Sequence, residues 1–187
     1  MKKEKIINMI EDMASEEMKA RLVEYMMNDK ALMPKTVTIE VRLSNTEKGN
    51  SRYEVIIIDE DGQEKEVVFK DRPSRLIYIY TLLHPQGYQR YSLAMNHYRE
   101  LRQLYCKLYF IDEYTLLKSI GSTEESFKQF VSQAVAQSRV AIRNTGLPCD
   151  DIEIGSPKTY GRLLIPFAKN GNTVIIDNTL LLRRNDT

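Results

Sequence analysis

The sequence has no tryptophan, and its 187 residues include only two cysteines, Cys106 and Cys149, and two histidines, His84 and His97. Two cysteines cannot make the disulfide framework of a small secreted domain, so both read as ordinary thiols of a reducing compartment. With no CxxC and no HExxH, the four Cys and His offer no zinc-site spacing. Cys106 and His97, nine positions apart, fall near the apolar side of one helical stretch and read as core residues. Glycine-rich phosphate loops and the GxSxG elbow are also missing. The expectation is a protein that is not an enzyme, with no cofactor and no metal. The longest aliphatic run, Val55 to Ile58, falls far short of the ~20 residues of a membrane span. Met1 to Lys5 leads into a charged amphipathic stretch without the apolar core of a signal peptide. A cytoplasmic protein with no membrane partner is therefore expected.

Charge of one sign is lacking as well: 27 Lys+Arg against 26 Asp+Glu give a formal net charge of +1. That total hides a division. Residues 1–69 carry 11 Lys+Arg and 15 Asp+Glu, whereas residues 70–187 carry 16 and 11. An acidic N-terminal part and a basic C-terminal part leave room for a local basic face.

The pattern along the chain changes three times. Residues 1–33 have helical composition, with Ile6, Met9, Ile10 and Met13 on one face and Met18, Leu22, Tyr25 and Met26 on a displaced one. Two short helices or one kinked helix are expected there. This arm either packs on the main domain, residues 34–187, or serves a homodimer or protein partner through its adaptable methionines. From Lys35 the period becomes two: Val37, Ile39, Val41 and Leu43 alternate with polar residues, Tyr53 to Ile58 follows, and Asp59 to Gly62 turns into a third strand at Glu66 to Lys70. Consecutive strands of this kind predict a small antiparallel sheet whose acids are solvated in turns. Pro73 then opens a helix that is apolar on most sides (Leu76, Ile77, Ile79, Tyr80, Leu82, Leu83), and Ser92 to Tyr109 gives a second. A third runs over 123–144 from the capping signal Ser122-Thr123-Glu124-Glu125 to Asn144-Thr145-Gly146. Asp151 to Ile154 and Leu163 to Phe167 read as the strands of a hairpin, with Val174 to Ile176 as another strand after it.

The third helix sorts its residues by function. Phe127, Phe130, Val131, Ala134, Val135, Ser138, Ala141 and Ile142 share one half of the helical wheel. Lys128, Gln129, Ser132, Gln133, Ala136, Arg139, Val140 and Arg143 share the other, and no acid occurs from Phe127 to Asn144. Cations, amides and small residues on one stripe are what a helix needs to enter a major groove: Arg pairs with guanine, Gln with adenine, and small residues permit close approach.

Sheet, helix, turn, helix, connector, basic amphipathic helix and hairpin follow one another from Thr36 to Ile176. In this order the chain resembles the winged helix-turn-helix effector domain of bacterial response regulators, without a receiver domain. The residues that carry the resemblance are Arg75 to Leu83 as first core helix, Val131 to Arg143 as recognition helix, and Ile152 to Ile165 as wing. The fold class it implies is α+β: a helical arm, a small antiparallel sheet, and three helices with a C-terminal β-hairpin wing. The partner it implies is double-stranded DNA, read for transcription regulation. Lys128, Gln129, Ser132, Gln133, Arg139 and Arg143 would lie on the 123–144 helix, with Lys158, Tyr160 and Arg162 on the wing at 151–167. Arg90 and Arg99 would add phosphate contacts. The alternative is a winged-helix scaffold for protein–protein contact, using the tyrosines between Tyr78 and Tyr109 and the Met-rich arm.

Overall fold

The computed structural model describes residues 35–44, 53–89, 98–109, 116, 118, 120 and 123–181. The N-terminal arm, Arg90, Tyr91 and His97 lie outside the described residues. Within them the fold is mixed α+β, with five helices and a four-stranded sheet.

Strands β1 (Thr36–Leu43), β2 (Tyr53–Asp59) and β3 (Glu64–Glu66) form an antiparallel meander. The alternation in β1 buries Ile39 and Val41, whereas Val37 and Leu43 at its two ends remain exposed. The third strand begins earlier than Glu66, and its reason lies in the turn. Asp59 is buried, and its carboxylate accepts the amides of Asp61 at 3.0 Å and Gln63 at 2.9 Å. Gly62 supplies the positive φ, so the hairpin closes at once and Glu64 pairs with Ile58. Asp59 is thus a turn-capping group rather than a solvated acid. Val67 and Phe69 continue inward beyond the ladder.

Helix α1 (Arg72–Leu83) starts at Asp71, whose carboxylate accepts the Ser74 amide at 2.7 Å, with Pro73 in the first turn where no donor is needed. Every residue from Leu76 to Leu82 is buried. Helix α2 (Tyr98–Tyr109) buries Leu101, Leu104, Tyr105, Leu108 and Tyr109. It meets α1 at both ends: the Tyr109 hydroxyl donates to the Arg72 carbonyl at 2.9 Å, and the Tyr80 hydroxyl donates to Glu100 at 3.0 Å. His84 Nε2 lies 3.2 Å from that same carboxylate oxygen. Helix α3 (Glu124–Arg143) packs along α1. One core joins the inner face of the sheet to all three helices.

Beyond α3 the chain departs from the expected hairpin. Two short helices, α4 (Pro157–Tyr160) and α5 (Pro166–Lys169), occupy the span 151–167, each with a proline in its first turn. Proline has no amide for a ladder and favours a helix start, so Pro166 cuts the second expected strand short and Pro157 opens a helix in the loop between the two, while residues 151–153 form a turn in place of the first strand. The final strand, β4 (Thr173–Ile176), joins the sheet beside β1 and parallel to it. The sheet is therefore mixed, in the order β3-β2-β1-β4, because the long helical connection allows a parallel return that a hairpin could not make.

The core is rich in tyrosine, and this governs its response to alkali. Burial pushes the phenols of Tyr78, Tyr80, Tyr88 and Tyr109 well above their ordinary pKa, and the Glu100 carboxylate pushes Tyr80 further. The folded-state value is raised, so the stability these groups contribute is complete below the unfolded value of about 10 and is lost as pH rises above it. Cooperative unfolding in alkali is expected, with tyrosinate absorbance of the four buried rings appearing together with loss of circular dichroism. Ionisation of those rings in a protein that keeps its dichroism would contradict this packing.

Candidate nucleic-acid interface

Helix α3 begins with a reciprocal cap. Thr123 Oγ1 accepts the Ser126 amide, and Ser126 Oγ accepts the Thr123 amide, both at 3.1 Å. The partner of Thr123 is thus Ser126 rather than a glutamate. The two halves of the helix fall as their periodicity requires. Phe127, Phe130, Val131, Ala134, Val135, Ser138, Ala141 and Ile142 are buried, and Ser138 satisfies its hydroxyl on the Val135 carbonyl at 2.8 Å. Gln129, Gln133, Ala136, Val140 and Arg143 are exposed, and Lys128, Ser132 and Arg139 are half-buried. The Ser132 hydroxyl donates back to the Lys128 carbonyl within the helix.

The two arginines at the end of this stripe are engaged inside the molecule. Arg139 Nε donates to the buried Ile154 carbonyl at 2.9 Å. Arg143 grips Glu153 with two bonds, Nε to Oε1 at 2.6 Å and Nη2 to Oε2 at 3.1 Å, and that contact raises its pKa. Asp150 and Asp151 are exposed in the same loop. Helical periodicity sets Arg139 and Arg143 on the outward stripe; the loop that follows folds back and occupies them. They position residues 153–154 against α3, and the two cations there stand among three carboxylates.

That loop is fixed from its other side too. Tyr88, in the segment after α1, exchanges both backbone hydrogen bonds with Leu163, at 3.0 and 2.9 Å. Next to it the Gly155 amide donates to the Leu164 carbonyl at 2.7 Å. Residues 163–164 therefore lie between Tyr88 and Gly155. Two glycines permit the approach. A Cβ on Gly87, at φ +73°, would stand 2.7 Å from the Leu163 carbonyl oxygen, and one on Gly155 would stand 2.6 Å from the Tyr160 ring. Lys158, Tyr160 and Arg162 are exposed, with Arg162 Nη1 donating to the Gln86 carbonyl at 3.0 Å. Arg99 is exposed on α2.

Comparisons with protein-family models, curated proteins and solved structures give no match.

The geometry speaks for itself in dividing the expected site. Lys128, Gln129, Ser132 and Gln133 share the first half of α3, and Lys158, Tyr160 and Arg162 share the loop beyond it. Arg139 and Arg143 form the fastening between the two. The sequence pattern does not mark Glu153, Gly155, Gly87 or Gln86 as part of this site. Glu153 follows Arg143 by ten residues with a turn between them, a separation that carries no periodic signal. Among the described residues no group of three His, Cys, Asp or Glu could hold a metal ion. Neither cysteine is in a disulfide and both are half-buried, so neither is a fully enclosed core residue.

The fastening has a measurable asymmetry. Removing Arg139 leaves a buried carbonyl without its donor, so Arg139→Ala costs about 1–3 kcal/mol in urea unfolding. Arg143 and Glu153 are coupled by only ~0.2–1 kcal/mol in a double-mutant cycle, because Arg143 stands largely in water. Equal losses for the two arginine variants would contradict these assignments.

Proposed function

We propose that the protein binds double-stranded DNA and regulates transcription, with α3 in the major groove and the 151–167 loop as its wing. The observation that carries this reading is the open first half of α3. Gln129 and Gln133 stand exposed one turn apart, beside Lys128, on a helix with no acid from Phe127 to Asn144. Recognition helices place their N-terminal residues against base edges, and Gln pairs two hydrogen bonds with adenine. Lys158 and Arg162, with the exposed ring of Tyr160, supply phosphate contacts from the neighbouring loop. The backbone pairing of Tyr88 with Leu163 and of Gly155 with Leu164 supports a winged-helix arrangement, since it ties the segment after the first core helix to the segment after the third. Arg139 and Arg143 then set the wing's position relative to α3 and do not read bases.

A second reading has its own observation. Glu153 neutralises Arg143, and Asp150 and Asp151 add acid beside it, while Ala136 and Val140 are exposed on α3. A mixed-charge, partly apolar surface of this kind suits a protein partner.

Salt dependence separates the two. DNA affinity measured by fluorescence anisotropy falls steeply with salt, and Lys158→Ala with Arg162→Ala reduces the log–log slope by about 2, one phosphate each. On a selected site, Gln129→Ala or Gln133→Ala each costs about 1–3 kcal/mol and relaxes the base preference. DNA affinity that is absent, or indifferent to all four changes, would overturn the assignment in favour of the protein partner.

A further inference from the structure

Strand β4 is the outer strand of the sheet, paired with β1 on one side alone among the described residues. The Asp177 amide donates to the Val41 carbonyl at 2.9 Å, which sets the phase of the parallel ladder. Stepping back by twos, Ile175 and Thr173 turn their backbone groups to β1, and Val174 and Ile176 turn theirs outward. The free edge therefore offers two amides and two carbonyls. Edge strands are ordinarily defended by an inward charge, a proline or a bulge. From Asn170 to Ile176 there is no charged residue and no proline.

Both faces of this edge carry apolar side chains. Ile175 is 49% exposed on the face away from the helices. On the other face, Val174 and Ile176 line an open groove of about 380 Å³ with Leu82, Leu83, Ala168 and Leu181. Charge flanks the strand with opposite signs, Lys169 before it and Asp177 after it. An antiparallel copy of the same strand brings each cationic end towards an anionic one.

We propose that β4 is a homodimer interface, pairing antiparallel with β4 of a second copy about a two-fold axis through Ile175. In that register Val174 faces Ile176 of the second copy and Ile176 faces its Val174. All four outward backbone groups of each edge are satisfied in four hydrogen bonds. Ile175 meets its own copy at a non-hydrogen-bonded position, where side chains come closest. Four residues bury too little alone for the ~1,200–2,000 Å² of a stable interface. The groove supplies the remainder, because the pairing sets Val174 and Ile176 of both copies side by side and merges the two grooves. The interface is isologous, and the sheet becomes eight strands. It stands whether or not DNA is the ligand.

The test uses the full chain in sedimentation velocity and in cross-linking. The wild-type protein sediments as a dimer, and Ile175→Lys sediments as a monomer with unchanged circular dichroism. In a Cys106→Ser, Cys149→Ser background, Ile175→Cys gives a disulfide-linked dimer on mild oxidation. Thr173→Cys gives none, since Thr173 faces Asp177 of the second copy. A wild-type chain that remains monomeric, including one whose edge binds only an unrelated extended peptide, overturns the proposal. So does a dimer that survives Ile175→Lys and fails to cross-link at residue 175.

Discussion

The packing of this protein is governed by a helix with no solvent face. From Leu76 to Leu82 nothing on α1 reaches water, and an element apolar all round is stable only if other elements cover every side of it. Its polar atoms impose a second constraint, since a buried hydroxyl without a partner costs about 1–3 kcal/mol. Tyr78 meets that demand by donating to the Ile152 carbonyl at 2.9 Å. Thr81 meets it on the Ile77 carbonyl, with the Tyr88 hydroxyl 2.8 Å away. These bonds bring the loop after α3 and the segment after α1 to the same helix. The placement of α3 and of the loop beside it follows from covering α1.

Much of this was legible in sequence, where a short-range period carries it. The apolar belt of α1 announces a buried helix, and the 3.6-residue period of α3 sorts its inner and outer halves correctly. The Asp59–Gly62 turn is legible as well, though not the burial of Asp59 that makes it tight. What periodicity cannot give is the identity of the neighbour. It directs Arg139 and Arg143 outward but is silent on Glu153 and Ile154, which a turn in the chain brings back to them. It marks Val174 to Ile176 as a strand but not that β1 is its partner, more than 130 residues earlier. Residues 151–167 differ for a local reason: apolar runs suggest strands, but residues 151–153 form a turn, and Pro166 makes the second run a helix start, with Pro157 opening another helix between them.

Helix α3 has an open first half with amides and Lys128, and a second half fastened to the following loop. An exposed stretch, which carries the proposed DNA contact, and the fastening of the following loop thus share one helix. The β4 edge lies on a different element and carries its own chemistry, so the proposed assembly and the proposed recognition are tested independently.

Helix α1 is the element whose burial holds the rest in place. Native-state hydrogen exchange tests it most directly, because it reports the free energy of opening amide by amide. The amides of Leu76 to Leu82, and that of Leu163 bonded to Tyr88, should exchange only with global unfolding. Exchange of the α1 amides through local opening, while the β1–β2 ladder remains protected, would contradict it.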